Sequence, residues 1–320
     1  MMKRPFGSTG VEVSAIGLGC NNFGGRLAAE QSKAVVHAAL DAGITFIDTA
    51  DVYGNRGGSE TLLGNVLGDR RKDVILSTKF GIPMDDEGRL QGGSRAYVMR
   101  AIEASLKRLK TNWIDVYFMH RPDPATPIEE TLAALDDLIR QGKVRFAGCS
   151  NFTGPQLDEA LEIAGTQRLA PFVTAQDEYS MLERGIETEL LPVVERHRLA
   201  LVPYFPLASG LLTGKYRKGQ PVPPGTRLAG TQFAGARFTG RFLNDDNLDI
   251  VEGLTAFCFE RGHTLLELAF AWLLAKTSVA TVIAGATSPE QVCLNAAAVG
   301  WHLTKDEFAE IDRITARSRE

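Results

Sequence analysis

Two kinds of hydrophobic pattern alternate along the chain. Short apolar runs rich in β-branched residues predict strands, and longer stretches with apolar residues every three or four positions predict helices. The predicted strands cover 14–20, 45–50, 74–80, 114–120, 144–150, 172–180, 200–206 and 279–286. The predicted helices lie near 30–42, 58–68, 94–109, 127–141, 155–165, 187–197, 248–276, 289–299 and 305–315. In the third of these helices, Val98, Ile102 and Leu106 share one face.

Eight near-continuous apolar strands, each followed by a helix, predict parallel strands that are buried on both faces. Eight such units close a (β/α)8 TIM barrel, so the predicted fold class is α/β with one domain over residues 1–320 and an extra C-terminal helix. The alternative is an open doubly wound sheet, in which the pattern GxGxxG usually follows the first strand. Here GLGCNNFGG (17–25) has Asn22 at the third glycine position, which favours the barrel.

One connection, after the seventh predicted strand, is unusually long. Residues 208–247 are rich in Gly, Pro, Arg and Phe and precede the next predicted helix. A connection of this length in a compact domain is usually a lid or a binding loop.

Composition narrows the class of protein. The 320 residues carry a net charge of −4. Nucleic-acid-binding domains usually carry a clear positive charge, so this class of protein is disfavoured. No apolar run approaches the ~20 residues that span a bilayer, and the N-terminus has no apolar segment typical of a signal peptide. The four cysteines are scattered, as expected for reduced thiols. We therefore expect a cytoplasmic protein without nucleic-acid or membrane partners.

Polar residues occupy the ends of several predicted strands, where packing does not require them. The second strand ends at Asp48 within FIDTADVYG, the third at Lys79 and the fourth at His120. The following strands carry Ser150, Asn151, Gln176 and Tyr204. In a (β/α)8 barrel these positions converge at the carboxyl-terminal mouth, where the active sites of this fold lie.

The chemistry of this group suggests a proton-transfer site. A free phenol has a pKa of about 10, and a neighbouring ammonium lowers it. An Asp48–Lys79–Tyr53 arrangement therefore predicts a tyrosine acid, with His120 placed to orient a substrate carbonyl. None of these residues supplies a hydride, so this chemistry needs a cofactor.

Three other interpretations remain open from the residues alone. A metal hydrolase is disfavoured because the five histidines are scattered without an HxH pair, so no metal is expected. A Schiff-base aldolase would use Lys79 as its amine, although Asp48 would keep that amine charged. A barrel that binds a nucleotide and reports redox state to a partner, with slow turnover, is the third.

Six segments resemble the aldo-keto reductase family over nearly the whole chain. They are DTADVYGNRGGSE (48–60), STKFG (77–81), IDVYFMHRPD (114–123), GCSNF (148–152), VPYFPLASGLLTGKY (202–216) and VIAGATSPEQVCLN (282–295). The resemblance is greatest to bacterial members related to potassium-channel β subunits, since Phe205 stands where many other members have Ser.

The resemblance implies an NADPH-dependent reductase of aldehydes or ketones, with hydride transfer from the nicotinamide and a proton from Tyr53. It makes Asp48, Tyr53, Lys79 and His120 the catalytic residues and Asp51 an exposed turn carboxylate. The implied cofactor-binding residues are Ser150, Asn151, Gln176, Tyr204, Pro206, Leu207, Gly210, Gly285, Ala286, Thr287, Ser288, Gln291 and Asn295.

The resemblance leaves two alternatives for the cofactor and does not specify the substrate. Many family members place Arg or Lys near the 2′-phosphate, whereas this chain has Thr287 and Ser288, so NADH is an alternative to NADPH. Arg217, Lys218 or Arg227 could supply the missing charge. Asn22 and Phe23 are expected to line the pocket for a small carbonyl substrate, and the oligomeric state is open.

Overall fold

The computed structural model describes residues 1–229 and 239–316, and its centre is a barrel of parallel strands. The strands are β1 Lys3–Pro5, β2 Glu12–Ser14, β3 Ile16–Gly19, β4 Phe46–Asp48, β5 Ile75–Phe80, β6 Ile114–Met119, β7 Val144–Ser150, β8 Phe172–Glu178, β9 Ala200–Tyr204 and β10 Val282–Gly285. Eight of them form one parallel sheet in the order β10-β3-β4-β5-β6-β7-β8-β9. The predicted (β/α)8 barrel is confirmed, and each of its strands falls within a predicted segment.

The barrel closes between β9 and the residues just before β10. Leu201 donates its N–H to the Ser278 carbonyl at 2.8 Å, and Ala280 donates to the Leu201 carbonyl at 2.9 Å. These bonds give one parallel bridge between Leu201 and Val279. The last strand then pairs with the first along β10 and β3, so the sheet has no long open edge.

Helices cover the outside of the barrel. They are α1 Ala29–Asp41, α2 Tyr53–Val66, α3 Arg95–Leu109, α4 Ile128–Arg140, α5 Gly154–Gln167, α6 Leu190–Arg196, α7 Asp245–Glu260, α8 Leu265–Leu274, α9 Pro289–Ala297 and α10 Lys305–Thr315. Short 3₁₀ helices occupy Gly68–Asp73, Gly185–Glu187, Ala208–Thr213 and Arg227–Ala229. No helix in the described part of the chain has the length and apolar character to cross a bilayer.

The single helix predicted near 248–276 is wrong, because two helices occupy that stretch. Gly262 has a φ of +70°, a left-handed conformation that ends α7 and that glycine adopts without steric cost. Thr264 then starts α8 through a capping box with Glu267. The hydrophobic period continues across this break, which is why the sequence pattern did not reveal it.

A short hairpin that was not predicted closes the amino-terminal end of the barrel. Strands β1 and β2 pair antiparallel, and the turn between them places Phe6 in the barrel interior, fully buried. The Phe6 ring lies 5.8 Å from that of Phe46, centroid to centroid. Side chains therefore fill the interior at this end of the barrel.

The long connection after β9 contributes to that open end. Its described parts are 208–229 and 239–247, including the two 3₁₀ helices at Ala208–Thr213 and Arg227–Ala229. Residues 230–238, which belong to the same predicted loop, lie outside the described residues.

Candidate active site

A cavity of about 740 Å³ opens at the carboxyl ends of the strands. This volume is typical of a site for a small molecule or cofactor. Most of the residues predicted to be functional line it, namely Asn22, Asp48, Tyr53, His120, Ser150, Asn151, Gln176, Tyr204, Pro206, Leu207, Gly210, Gly285, Thr287, Gln291 and Asn295. The structure therefore brings together side chains that are dispersed over some 270 positions of the sequence.

Asp48 ends β4 and is held by hydrogen bonds from two other strands. Lys79 Nζ donates to Asp48 Oδ2 at 2.6 Å. Ser77 Oγ and Gln176 Nε2 donate to Asp48 Oδ1 at 2.8 and 3.0 Å. Gln176 lies on β8, across the barrel, so this carboxylate ties opposite walls together and is fixed in one orientation.

Lys79 lies under the cavity floor with no solvent exposure. Its ammonium donates to Asp48 and to the Thr49 carbonyl, at 2.6 and 2.8 Å. Burial by itself lowers the pKa of Lys79, but Asp48 and Tyr53 outweigh it, and the net shift of the pKa is upward. The amine is therefore a fixed cation at neutral pH. A charged amine is not a nucleophile, which weighs against the Schiff-base alternative.

Tyr53 follows Asp48 on a tight turn at the start of α2. The backbone is left-handed from Gly54 to Gly57. A side chain on Gly54 would place its Cβ 2.4 Å from the Phe23 carbonyl oxygen, so only glycine allows this close approach. The turn directs the Tyr53 ring toward Lys79, whose Nζ lies 5.1 Å from the ring centroid.

The predicted lowering of the Tyr53 pKa is wrong. Burial is the largest influence and raises the pKa of Tyr53, while the Lys79 ammonium acts against it and Asp48 adds to it. The phenol therefore stays protonated at neutral pH. That is the state required of a proton donor, and an ammonium as close as that of Lys79 favours a phenolate over a phenol.

His120 follows β6 and packs edge-on against Tyr53, with ring centroids 5.8 Å apart. Burial, followed by the charges of Lys79 and Arg121, holds the pKa of His120 well below its usual range. The imidazole is therefore neutral. Within the described residues its buried Nδ1 has no hydrogen-bond partner. A neutral ring beside the phenol can donate one hydrogen bond to a ligand oxygen without competing as an acid.

Amide and hydroxyl groups form the wall next to these residues. Asn151 is fully engaged, since its Nδ2 donates to the His120 carbonyl at 3.0 Å and its Oδ1 accepts from Tyr204 at 2.7 Å. The same Nδ2 also donates to Ser150 Oγ, at 2.9 Å. The groups left for a ligand are therefore the Ser150 hydroxyl proton and the amide oxygen of Gln176. The role of Asn151 is to hold Ser150 and Tyr204.

The opposite end of the cavity is formed by the start of α9. Gln291 Oε1 accepts hydrogen bonds from the backbone N–H and the hydroxyl of Thr287, at 2.8 and 3.1 Å. Ser288 caps the helix by accepting from the Gln291 N–H, and Ala286 is buried in the core. Neither Ser288 nor Ala286 lines the cavity, so their predicted contact with a ligand is not supported by this geometry.

Three cations lie close together at the cavity, and the sequence singles out one of them. Arg26, Lys215 and Arg227 line the cavity. The pKa of Lys215 is lowered by burial and then by the charges of Arg26 and Arg227. Like charges held together in a cavity indicate a site for an anion. Only Arg227 had been proposed, because the sequence does not reveal which loop residues return over the mouth.

The other two candidate cations do not line the cavity. Lys218 forms an ion pair with Asp249 of α7 at 2.5 Å, and Arg217 is exposed. Of the three candidate cations, Arg227 is the one that lines the cavity. Lys215 lines it as well, and its Nζ would lie 2.7 Å from a Cβ placed on Gly210, where φ is +97°. Glycine at 210 therefore allows the ammonium to approach the loop backbone closely.

The substrate-pocket prediction for Phe23 is not supported by the structure. Phe23 has no solvent exposure and belongs to the hydrophobic core between the barrel and its helices. Asn22, its neighbour, does line the cavity. An aromatic ring in a loop after a strand can point either into the core or into the mouth, and the sequence pattern does not distinguish these two directions.

The prediction that Asp51 is an exposed turn carboxylate is wrong. Asp51 is 1% exposed, and its Oδ2 accepts a hydrogen bond of 3.5 Å from the Tyr97 hydroxyl. It lies near a second buried carboxylate, Glu60, which Arg108 and Thr78 bind at 2.6 Å each. The pKa of Asp51 is raised to about 8, mainly by burial and next by the charge of Glu60.

Because of this buried carboxyl group, we expect the free energy of unfolding to fall as the pH rises. In the unfolded chain Asp51 loses its proton near pH 4, whereas in the folded chain it holds it to about pH 8. Between these values the folded state binds more protons, so the free energy of unfolding falls as pH rises. We expect Asp51→Asn to remove part of this slope, by up to about 1.4 kcal/mol per pH unit.

Urea unfolding of wild type and Asp51→Asn between pH 5 and pH 9 measures this effect. The exposed Asp69→Asn serves as the matched control and should leave the slope unchanged. Asp177, whose pKa burial also raises to about 8, accounts for part of the slope that remains. Parallel pH curves for wild type and Asp51→Asn would contradict the assignment of a proton to Asp51.

Of the cysteines and histidines, Cys20 and His120 line the cavity. Among the four cysteines, Cys20, Cys149 and Cys258 are buried and Cys293 is exposed. In residues 1–229 and 239–316, no group of three His, Cys, Asp or Glu side chains is arranged to hold a metal ion.

Comparison with known proteins identifies relatives over almost the whole chain. The sequence model described as the Aldo/keto reductase family matches residues 15–316. A relative from Arabidopsis thaliana, a probable voltage-gated potassium channel subunit beta, is 38% identical over 306 residues, which cover 93% of this chain and 91% of that protein. L-glyceraldehyde 3-phosphate reductase of Escherichia coli (strain K12) is 33% identical over 322 residues, covering 98% and 92%.

Proposed function

The chain belongs to the aldo/keto reductase family of oxidoreductases, and from that premise we propose that it reduces aldehydes or ketones to alcohols with NADPH. The observation that carries the proposal is the buried Asp48–Lys79 ion pair of 2.6 Å beneath Tyr53. This pair holds a fixed positive charge 5.1 Å from a phenol ring that lines the cavity. Such a charge favours the phenolate that appears when Tyr53 gives up its proton.

The proposed roles follow from these positions. Tyr53 donates its proton to the carbonyl oxygen of the substrate and becomes a phenolate, which Lys79 stabilises. Asp48 holds the Lys79 ammonium in place, and neutral His120 orients the carbonyl by a hydrogen bond. A reduced nicotinamide, when bound, supplies the hydride that the carbonyl carbon requires.

The cavity lining fits a nicotinamide dinucleotide at the nicotinamide end. A carboxamide needs one donor for its oxygen and one acceptor for its amino group. The Ser150 hydroxyl and the Gln176 amide oxygen provide these, since the other polar atoms of that wall are already paired. Tyr204 offers an aromatic ring beside them and is held in place by Asn151.

The phosphates and the adenosine fit the remainder of the cavity. Pro206, Leu207 and Gly210 line its middle, with Lys215 lying against Gly210. Gln291 and Asn295 of α9 present amides at the far end, beside Thr287. The cluster of Arg26, Lys215 and Arg227 supplies the positive charge that pyrophosphate and a 2′-phosphate require.

A direct assay tests the proposed function. Purified protein is mixed with NADPH or NADH and a reactive aromatic aldehyde, and the loss of reduced-nicotinamide absorbance is followed together with formation of the alcohol. We expect stoichiometric alcohol formation. Binding of NADPH without turnover of any aldehyde or ketone would contradict the proposal.

The cation cluster predicts a preference for NADPH. We expect wild type to use NADPH better than NADH, and the double variant Lys215→Gln/Arg227→Gln to lower the ratio of their kcat/KM values by about 10- to 100-fold. Each lost hydrogen bond to a charged group costs about 1.5–3 kcal/mol, which corresponds to a factor of ten or more. Lys218→Gln, outside the cavity, is the matched control. An equal loss with both cofactors would assign Lys215 and Arg227 to the pyrophosphate instead.

A second candidate function is a nucleotide-binding sensor that acts through a protein partner. It is favoured by the relatives named as potassium channel beta subunits, one of which, from Schizosaccharomyces pombe, is 35% identical over 324 residues, which cover 97% of this chain and 92% of that protein. A sensor would bind NADPH and turn over slowly. The same assay discriminates, because rapid multiple turnover supports the reductase.

A further inference from the structure

One cation of the cavity is not part of the cluster at the phosphate site. Arg121 directly follows His120, lines the cavity and is exposed to it. Within the described residues its side chain has neither a hydrogen bond nor an ion pair. A guanidinium presents five donors in a planar fork that matches carboxylate and phosphate groups, so an arginine with no partner at a cavity wall is suited to bind an anion.

The electrostatics separate Arg121 from the other cations. Arg121 acts on His120, whose pKa is lowered by burial and then by Lys79 and Arg121. Arg26 and Arg227 lower the pKa of Lys215 instead. Arg26 also donates a hydrogen bond of 3.2 Å to the Gly225 carbonyl, on the long connection that carries Lys215 and Arg227. Arg121, in contrast, directly follows His120 at the end of β6. The cavity thus has a group of cations at the long connection and a separate cation at the end of β6.

The charge balance of the cavity leaves Arg121 uncompensated. Among the described residues that line the cavity, Asp48 is the one carboxylate, and it is paired with Lys79. The chain as a whole carries a net charge of −4, so this positive region contrasts with the overall charge. The three clustered cations are assigned to the cofactor phosphates, which leaves the charge of Arg121 for the second ligand.

We infer that Arg121 binds the anionic group of the substrate, and that the enzyme prefers short aldehydes that carry a phosphate or carboxylate near the carbonyl. This inference rests on the proposed reductase function. Because Arg121 and His120 are consecutive, one substrate molecule can place its carbonyl oxygen at His120 and its anionic group at Arg121. The bidentate contact then fixes the substrate in the orientation that Tyr53 requires.

Matched pairs of charged and neutral substrates test the inference. Glyceraldehyde 3-phosphate is compared with glyceraldehyde, and succinic semialdehyde with butanal, at saturating NADPH. We expect wild type to favour the charged member of at least one pair by about 10-fold or more in kcat/KM. Preference in the first pair identifies phosphate as the recognised group, and preference in the second identifies carboxylate.

The variants locate this preference at Arg121. Arg121→Gln should remove it, mainly by raising KM for the charged substrate, with kcat/KM for the neutral one changed far less. Arg121→Lys should restore part of it, because it keeps the charge and loses the fork. Arg145→Gln, an exposed arginine on β7 outside the cavity, should behave as wild type. Absence of any preference in wild type, or an equal loss for both members of a pair in Arg121→Gln, would overturn the inference.

A pH profile excludes an indirect effect through His120. If Arg121 acted only by lowering the pKa of His120, Arg121→Gln would shift the pH dependence of kcat/KM identically for charged and neutral substrates. A loss that affects the charged substrates and is the same at all pH values supports direct contact. An identical shift for both kinds of substrate overturns it.

A binding measurement keeps the inference testable if no aldehyde is reduced. The dissociation constant of glycerol 3-phosphate, or of succinate, is measured by calorimetry on the complex with saturating NADP⁺, so that the cofactor already occupies its cation cluster. Binding at least 10-fold weaker in Arg121→Gln than in wild type supports an anion site at Arg121 even if the reductase function fails. Equal binding in wild type and Arg121→Gln overturns it.

Discussion

Replacing Tyr53 with phenylalanine is expected to lower kcat for aldehyde reduction by about 10²- to 10⁴-fold, the usual contribution of a general acid. The change removes the hydroxyl that is the proposed proton donor and leaves the ring that packs against His120. The dissociation constant of NADPH should be nearly unchanged, because the phenol hydroxyl is not among the groups assigned to the cofactor. Steady-state rates and a fluorescence titration with NADPH measure the two quantities separately.

Tyr117→Phe is the matched control for this substitution. Tyr117 is fully buried on β6, outside the cavity, and its hydroxyl has no partner within the described residues. Its removal should leave turnover unchanged. Undiminished turnover in Tyr53→Phe would move the role of acid to another group, and the pH dependence of kcat would then identify it.

Breaking the Asp48–Lys79 pair is expected to cost both stability and activity. In Asp48→Asn the Lys79 ammonium remains buried without its carboxylate, and removing one partner of a buried pair typically costs about 3–5 kcal/mol. Lys79→Met should cost a similar amount, because it leaves the Asp48 carboxylate buried. Both variants should also lose most of their turnover, because Lys79→Met removes the charge beside Tyr53 and Asp48→Asn removes the carboxylate that holds this charge in place.

The double variant Asp48→Asn/Lys79→Met separates charge pairing from packing. If the single variants suffer from an uncompensated charge, the double variant should lose clearly less than the sum of the two single losses. Urea unfolding at one pH gives all four free energies. Strict additivity would mean that the two side chains contribute independently and that the ion pair carries little energy.

The strand pattern made most of the fold predictable. Buried parallel strands are apolar on both faces, so each appears as a short continuous run, and all eight barrel strands fall within predicted segments. The β1–β2 hairpin was not predicted because its strands, KRP and EVS, are too short to show a period. The break at Gly262 was not predicted because the apolar period continues into α8.

Residues at strand ends were predictable for the same physical reason. A polar side chain at the end of a buried strand has no packing role, which singled out Asp48, Lys79 and His120. Residues on loops gave no such signal. Lys215 and Arg26 reach the cavity only because of how their loops fold, and Asp51 is buried because Tyr97 and the Glu60–Arg108 pair create a polar interior next to it.

The side-chain hydrogen bonds to the Asp48 carboxylate have a consequence for how such a protein can evolve. All three come from strand residues, Ser77, Lys79 and Gln176. The cations that face ligands stand on connections between elements. Substitutions in those connections can therefore redirect the enzyme to a new substrate while Tyr53, the proposed proton donor, keeps its surroundings. Laboratory selection for new substrates is best directed at the connections, with the strand ends held constant.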